Sequence, residues 1–143
     1  FLMCIQLGYP DAHAERRLLE GTDRRDLLAA LPPRLGPDQL LTLQHATRAL
    51  HVAPALLDYL QALLAHSRDA PEFVSGLSPR AGLNVLHAAR AWALLDGRNF
   101  VIPEDVQAVL PSVIAHRLQP SGGRRSADAD EAVTRLLAQV PIA

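Results

Sequence analysis

The stretch Gly76-Leu77-Ser78-Pro79-Arg80-Ala81 reads as the start of a helix. Ser78 is a favourable N-cap, because its hydroxyl can accept a bond from a free amide of the first turn. Pro79 suits the first helical position, where a missing N–H costs nothing and φ is preset. Beyond it, Leu83, Val85, Leu86, Ala89, Trp92, Ala93 and Leu95 spread apolar side chains over a broad arc. Such an arc predicts a helix at the centre of a bundle, ended by Asp96-Gly97. Arg80 falls in the first turn, where the helix dipole disfavours a cation and favours an anion. It is either a surface or ion-paired arginine, or an arginine placed to meet a phosphate at a helix N-terminus. The capping role explains Ser78 better than a nucleophilic one.

The same start signal recurs outward from this point. Proline stands at the expected first helical position in Tyr9-Pro10, Gly36-Pro37-Asp38, Ala53-Pro54 and Ile102-Pro103. The helix from Pro54 carries a stripe of Leu56, Leu57, Leu60, Leu63 and Leu64, and that from Pro103 carries Val106, Val109, Leu110, Val113 and Leu118. A helix is also expected from about Pro10 to Glu20, and a last one from about Ala127 to Gln139 with Val133, Leu136, Leu137 and Val140 inward. Residues 21–36 carry the weakest signal. Asn99-Phe100-Val101-Ile102 reads as a brief extended link, and Gln119 to Ser126 as a connector rich in glycine and arginine. Phe1 to Leu7 is a nearly continuous apolar run, which predicts a strand buried on both faces of a parallel sheet whose other strands lie elsewhere. The chain opens inside that run without a methionine, and is expected to be a piece of a longer protein.

Composition agrees with a mainly α fold. Of the 143 residues 49% are hydrophobic but only 4% aromatic, so the core is built from Leu, Ala and Val. The net charge of −1 gives no electrostatic case for nucleic acid. No apolar run approaches the ~18 residues of a membrane span. All 14 basic residues are arginine, a result of coding bias or of a demand for arginine. Without lysine there is no Gly-x-x-x-x-Gly-Lys-Ser/Thr phosphate loop. The six histidines and one cysteine show no metal-ligand spacing. Cys4 reads as a small core residue, and its being alone fits a reducing cytoplasm. Trp92 is expected in the core. The pairs Arg16-Arg17, Arg24-Arg25 and Arg124-Arg125 read as solvated surface charge, with phosphate or partner contact as the lesser alternative for the last.

In order and spacing, several segments resemble the C-terminal part of a MoxR-family AAA+ ATPase. Phe1-Leu2-Met3 with Leu7-Gly8-Tyr9-Pro10-Asp11 is similar to the last strand of the ATPase core and its exit. Val52-Ala53-Pro54-Ala55-Leu56-Leu57-Asp58-Tyr59 is similar to the second lid segment, and Gly76-Leu77-Ser78-Pro79-Arg80-Ala81 to the sensor 2 motif. Ala88 to Arg98, Pro103 to Val109 and Ala115-His116-Arg117-Leu118 follow in the family's order.

The resemblance implies a helical-bundle AAA+ lid with one short N-terminal strand left over from the α/β core. Residues 1–9 would be that strand and hinge, 10–118 the lid, 119–126 a linker and 127–143 a C-terminal helix. It implies ATP and Mg held mainly by the missing core domain, with Arg80 as the catalytic arginine and Ser78, Pro79, Arg80, Tyr9 and Pro10 toward the nucleotide. No metal would be held by this chain itself. Implied partners are the chain's own AAA+ core, neighbouring subunits of a hexamer and a von Willebrand factor A domain protein, in a chaperone-like role in the cytoplasm. Walker A, Walker B and sensor 1 motifs are absent, so the chain alone should not hydrolyse ATP. Two departures are Ile102, where the family tends to place a capping threonine, and Gly36 in place of a serine cap. The first forfeits on the order of 1 kcal/mol of capping. The reading from a different class is a stand-alone helical adaptor, or a DNA-binding helical domain, with no nucleotide role.

Overall fold

A computed structural model describes residues 1–21, 23–120 and 126–142. Seven helices are found among them: α1 (Ala12–Glu20), α2 (Arg24–Ala29), α3 (Pro37–Ala49), α4 (Pro54–Asp69), α5 (Pro79–Leu95), α6 (Pro103–Ile114) and α7 (Ser126–Gln139). The fold is thus mainly α, as the residue pattern predicts. Prolines 37, 54, 79 and 103 each open a helix. Pro10 does not: Asp11 caps α1 instead, its carboxylate accepting from Ala14 N at 2.7 Å. The carboxylate is a stronger acceptor than any group Tyr9 could offer, so the helix starts after it.

The centre of the bundle is α5, which packs against α3, α4 and α6. Its buried positions are small, namely Ala81, Gly82, Val85, Ala88, Ala89 and Ala93. Small side chains let neighbouring helices approach closely, and the larger ones on α5 turn elsewhere. Leu83 and Leu95 are exposed, and Trp92, expected in the core, is 49% exposed. The core is completed by Leu56, Leu60 and Leu63 of α4, by Val106, Val109, Leu110 and Val113 of α6, and by Val133 and Leu136 of α7.

The β structure lies where the sequence gives no signal. Strand β1 (Phe73–Ser75) pairs antiparallel with β2 (Gln119–Pro120). The start of the expected connector is therefore β2, and residues 121–125, with Arg124-Arg125, lie outside the described residues. The strand expected over Phe1–Leu7 does not form. An isolated apolar segment has no ladder partner for its backbone groups, and among the described residues no other strand lies alongside it. Phe1, Ile5, Leu7 and Cys4 are exposed, so Cys4 is not a core residue.

This segment instead serves the end of α6. The last carbonyls of a helix lack intrahelical partners. Cys4 N–H donates to Ser112 O at 2.8 Å. Arg117 Nε donates to Val113 O at 2.8 Å, and its Nη2 to Phe1 O at 2.6 Å.

The turn from α5 to α6 holds the strongest ion pair. Gly97, at φ +75°, supplies the left-handed residue that ends α5. The chain then runs extended beside His51, whose N–H donates to Asn99 O at 3.1 Å and whose C=O accepts from Val101 N at 3.0 Å. Arg98 grips Asp105 with both terminal nitrogens, Nη1 to Oδ2 at 2.7 Å and Nη2 to Oδ1 at 2.5 Å. The Asp105 side chain is 3% exposed. Asp105 also accepts from Ile102 N at 2.9 Å, which is the return half of a capping box. Gln39 does the same for Gly36 N at 2.8 Å. The starts of α3 and α6, which lack a side-chain cap, therefore each keep one return bond from the third helical position. Burial pushes the Asp105 carboxyl up, but the Arg98 hydrogen bonds, the Ile102 amide and the Arg98 charge together hold it below the usual carboxylate range.

Asp105→Ala is expected to destabilise the fold by about 1.5–3 kcal/mol, read by denaturant unfolding, because charge-assisted bonds and a cap are lost together. A depressed folded-state pKa gives stability that is complete above the unfolded value of about 3.9. That stability is lost as pH falls below it. Wild type should therefore lose more stability than Asp105→Asn on acidification from about pH 5 to pH 3.

Candidate functional site

The site is the junction of β1 and α5, and the end of α4 builds it. Ser67, fully buried in the last turn of α4, donates from Oγ to Leu64 O at 2.7 Å and accepts from Leu77 N at 3.0 Å. Arg68 Nε donates to Leu77 O at 2.9 Å. Both backbone groups of Leu77 are thus held by adjacent side chains of one helix, and the Leu77 side chain is buried. Gly76 lies directly on that helix. A Cβ built there would stand 2.5 Å from Arg68 Cα and 2.6 Å from Ser67 O, closer than any side chain tolerates.

Ser78 follows as the N-cap, with an extended backbone and its Oγ accepting from Ala81 N at 3.2 Å. Pro79 occupies the first helical position. Ser78, Pro79 and Arg80 are all exposed. Among the described residues neither the guanidinium nor the backbone N–H of Arg80 has a hydrogen-bond or ion-pair partner. Arg80 is thus a surface arginine, with no ion pair among the described residues. The helix start presents a free cationic fork and a free amide together, which suits an anion with several oxygen acceptors.

Alongside runs an apolar groove of about 850 Å³ between α4 and α5. Leu57, Leu64, Leu83 and Leu86 line it, and Arg68 and Pro79 also border it.

Tyr9 and Pro10 are not brought to this junction by any hydrogen bond. Both are exposed, and the backbone contacts of their segment run to α6. Among the described residues no group of three or more His, Cys, Asp or Glu could hold a metal ion. No helix of the described residues is long and apolar enough to cross a membrane. The sequence reading missed Ser67 and Arg68. The available signal was a basic residue in the last turn of a helix, a position from which arginine commonly reaches carbonyls.

Two glycines test this geometry. Gly76→Ala places its methyl against backbone and should cost about 1–3 kcal/mol. At Gly82 an added Cβ meets only the flexible Leu64 Cδ1, at 2.7 Å, and alanine gains helix propensity of about 0.8–1 kcal/mol. Gly82→Ala should therefore lie near neutral in the same denaturant melts.

Known proteins align with this chain along most of its length. It is 36% identical over 131 residues to "Chaperone MoxR1" of Mycobacterium tuberculosis, covering 82% of this chain and 33% of that protein. It is 34% identical over 108 residues to "Protein MoxR" of Paracoccus denitrificans, covering 64% of this chain and 32% of that one. A crystal structure of a candidate ATPase from Cytophaga hutchinsonii superposes with a TM-score of 0.77 at 21% identity, over 96% of this chain and 46% of its own. The chain spans less than half the length of the curated relatives it matches. A family model described as the AAA lid domain matches residues 65–136, which include the end of α4, the Ser78-Pro79-Arg80 start and all of α5 and α6. The chain belongs to the AAA lid domain family, and its relatives include proteins named MoxR.

Proposed function

We propose that this chain is the lid of a MoxR-type AAA+ ATPase and supplies Arg80 as the sensor 2 arginine for ATP hydrolysis in a ring. The observation that carries the reading is the pairing of a free guanidinium and a free amide at the start of α5. The α5 start, fixed on α4 through Leu77, aims these donors outward from the domain. Arginines supplied to phosphoryl transfer stabilise charge that builds on the transferred group, and are worth roughly 10³–10⁵ in rate when contributed in trans. ATP with its Mg supplies that charge. In this reading both are held by the α/β core, and Arg80 contributes its guanidinium, Ser78 the cap that fixes its helix, and Pro79 the preset first turn. Tyr9 and Pro10 lie on the path between core and lid and would line the nucleotide only once the core is in place.

Exposed apolar residues fit the same arrangement. Phe1, Ile5 and Leu7 are exposed, as are Leu19 of α1, Leu28 of α2 and Leu40 of α3. Large apolar side chains left in solvent are candidates for cover by a partner, and the occupant proposed is the chain's own AAA+ core, with neighbouring subunits of a hexamer beyond it. A chaperone-like action in the cytoplasm, with a von Willebrand factor A domain protein as partner, belongs to this proposal. The adaptor reading keeps the fold and would put Arg80 in a protein or phosphate-backbone contact instead, while the match to the AAA lid domain favours the ATPase reading.

Two measurements test the proposal. The purified chain alone should show no ATP turnover above background, and turnover there would contradict it. In the full-length ATPase, Arg80→Ala should lower turnover, by up to roughly 10³-fold or more if it acts in trans, while the lid keeps its helical circular dichroism. Unchanged turnover with unchanged nucleotide affinity would remove Arg80 from the mechanism.

A further inference from the structure

We propose that Arg68 is a positioning residue for Arg80, acting through a single hydrogen bond from its Nε to the Leu77 carbonyl. The inference rests on the reading of Arg80 as the nucleotide-facing arginine. Leu77 immediately precedes the Ser78 cap and lies three residues before Arg80. Its carbonyl accepts from Arg68 Nε at 2.9 Å and its amide donates to Ser67 Oγ at 3.0 Å. Ser67 is buried and locked to Leu64 O, so that strut is rigid. The Arg68 strut comes from an exposed side chain and closes the other half of the grip. Gly76 lets the strand exit press onto α4, with no room even for a methyl. Together these contacts fix where the chain leaves β1 and therefore where α5 begins. The first turn of α5 carries Arg80, so a shift of the Leu77 peptide moves the guanidinium with it. Displacements of about 1 Å at a reacting centre can cost roughly 10²-fold in rate.

The operative atom is the donor at Nε and not the charge. This distinguishes Arg68 from a second phosphate-binding arginine. Glutamine carries an N–H donor the same number of bonds from Cα, without charge, and methionine carries none. In the full-length ATPase, Arg68→Met should speed backbone hydrogen exchange in the peptide spanning residues 76–82. It should also lower kcat by about tenfold or more, up to roughly 10²-fold, with the loss in kcat rather than KM. Arg68→Gln should restore most of both. In an Arg80→Ala background, Arg68→Met should cause no further loss of rate, because its effect passes through Arg80.

The proposal is overturned if Arg68→Met leaves exchange and kcat unchanged. It is equally overturned if Arg68→Gln is as impaired as Arg68→Met, or if the two losses multiply in the double variant. Should Arg68→Met melt the lid by circular dichroism, Ser67→Ala takes its place, since it removes the other bond to Leu77 and should give the same pattern of exchange and rate. Normal turnover in Arg80→Ala alone defeats the underlying reading instead. That arm separates the two failures, because the exchange result at residues 76–82 does not depend on what Arg80 binds.

Discussion

The backbone of one residue, Leu77, fixes where the central helix of this domain begins. Its two polar groups are tied to consecutive side chains of α4, and the residue before it has been cleared of a side chain so that chain and helix touch. A helix start is usually defined by its own cap. Here Ser78 does that locally, while α4 decides where in space the cap stands. The central helix of the bundle follows from that point, and α3, α4 and α6 pack around it.

The two ends of α5 are held by different physics. At its start the fixing bonds are between side chains and backbone, and Arg80 is left out of them. At its end a left-handed glycine turns the chain, and Arg98 commits to a buried carboxylate in a two-pronged grip. Arginine rather than lysine suits both places. Its fork matches a carboxylate in one plane, and its Nε gives a donor well back along the stem. Whatever the origin of the all-arginine composition, the fold uses the geometry that lysine lacks at Arg68, Arg98 and Arg117.

Much of this was legible in the chain itself. Proline after a capping position located four helix starts, and the apolar stripes of α4, α6 and α7 named a large part of the core. Arg80 could be singled out from three residues of context, because its oddity is local: a cation in a first turn. What could not be read was tertiary. The run Phe1–Leu7 has the pattern of a buried strand, but a pattern states what a segment would bury and not whether a partner is at hand. The pairing of Phe73–Ser75 with Gln119–Pro120 joins segments too short to carry a period. Trp92 lies on the apolar arc of α5 and reads as core, whereas the buried positions of that helix are taken mostly by alanine and glycine. The grip on Leu77 spans nine and ten residues between side chain and backbone, a contact for which no spacing rule exists. The return caps from Asp105 and Gln39 were visible in principle at the third helical position.

The double anchorage of α5 has a mechanical consequence. A helix free at one end dissipates a push by fraying, turn by turn. This one is closed at the start by the Leu77 bonds and at the finish by Gly97 and the Arg98–Asp105 pair, so it behaves as a strut about 25 Å long by its 1.5 Å rise per residue over the 17 residues of Pro79–Leu95. Torque applied to α6 therefore arrives at the Arg80 end as rotation of the whole strut rather than as loss of its last turn. The angular setting of the arginine is inherited from the entire bundle.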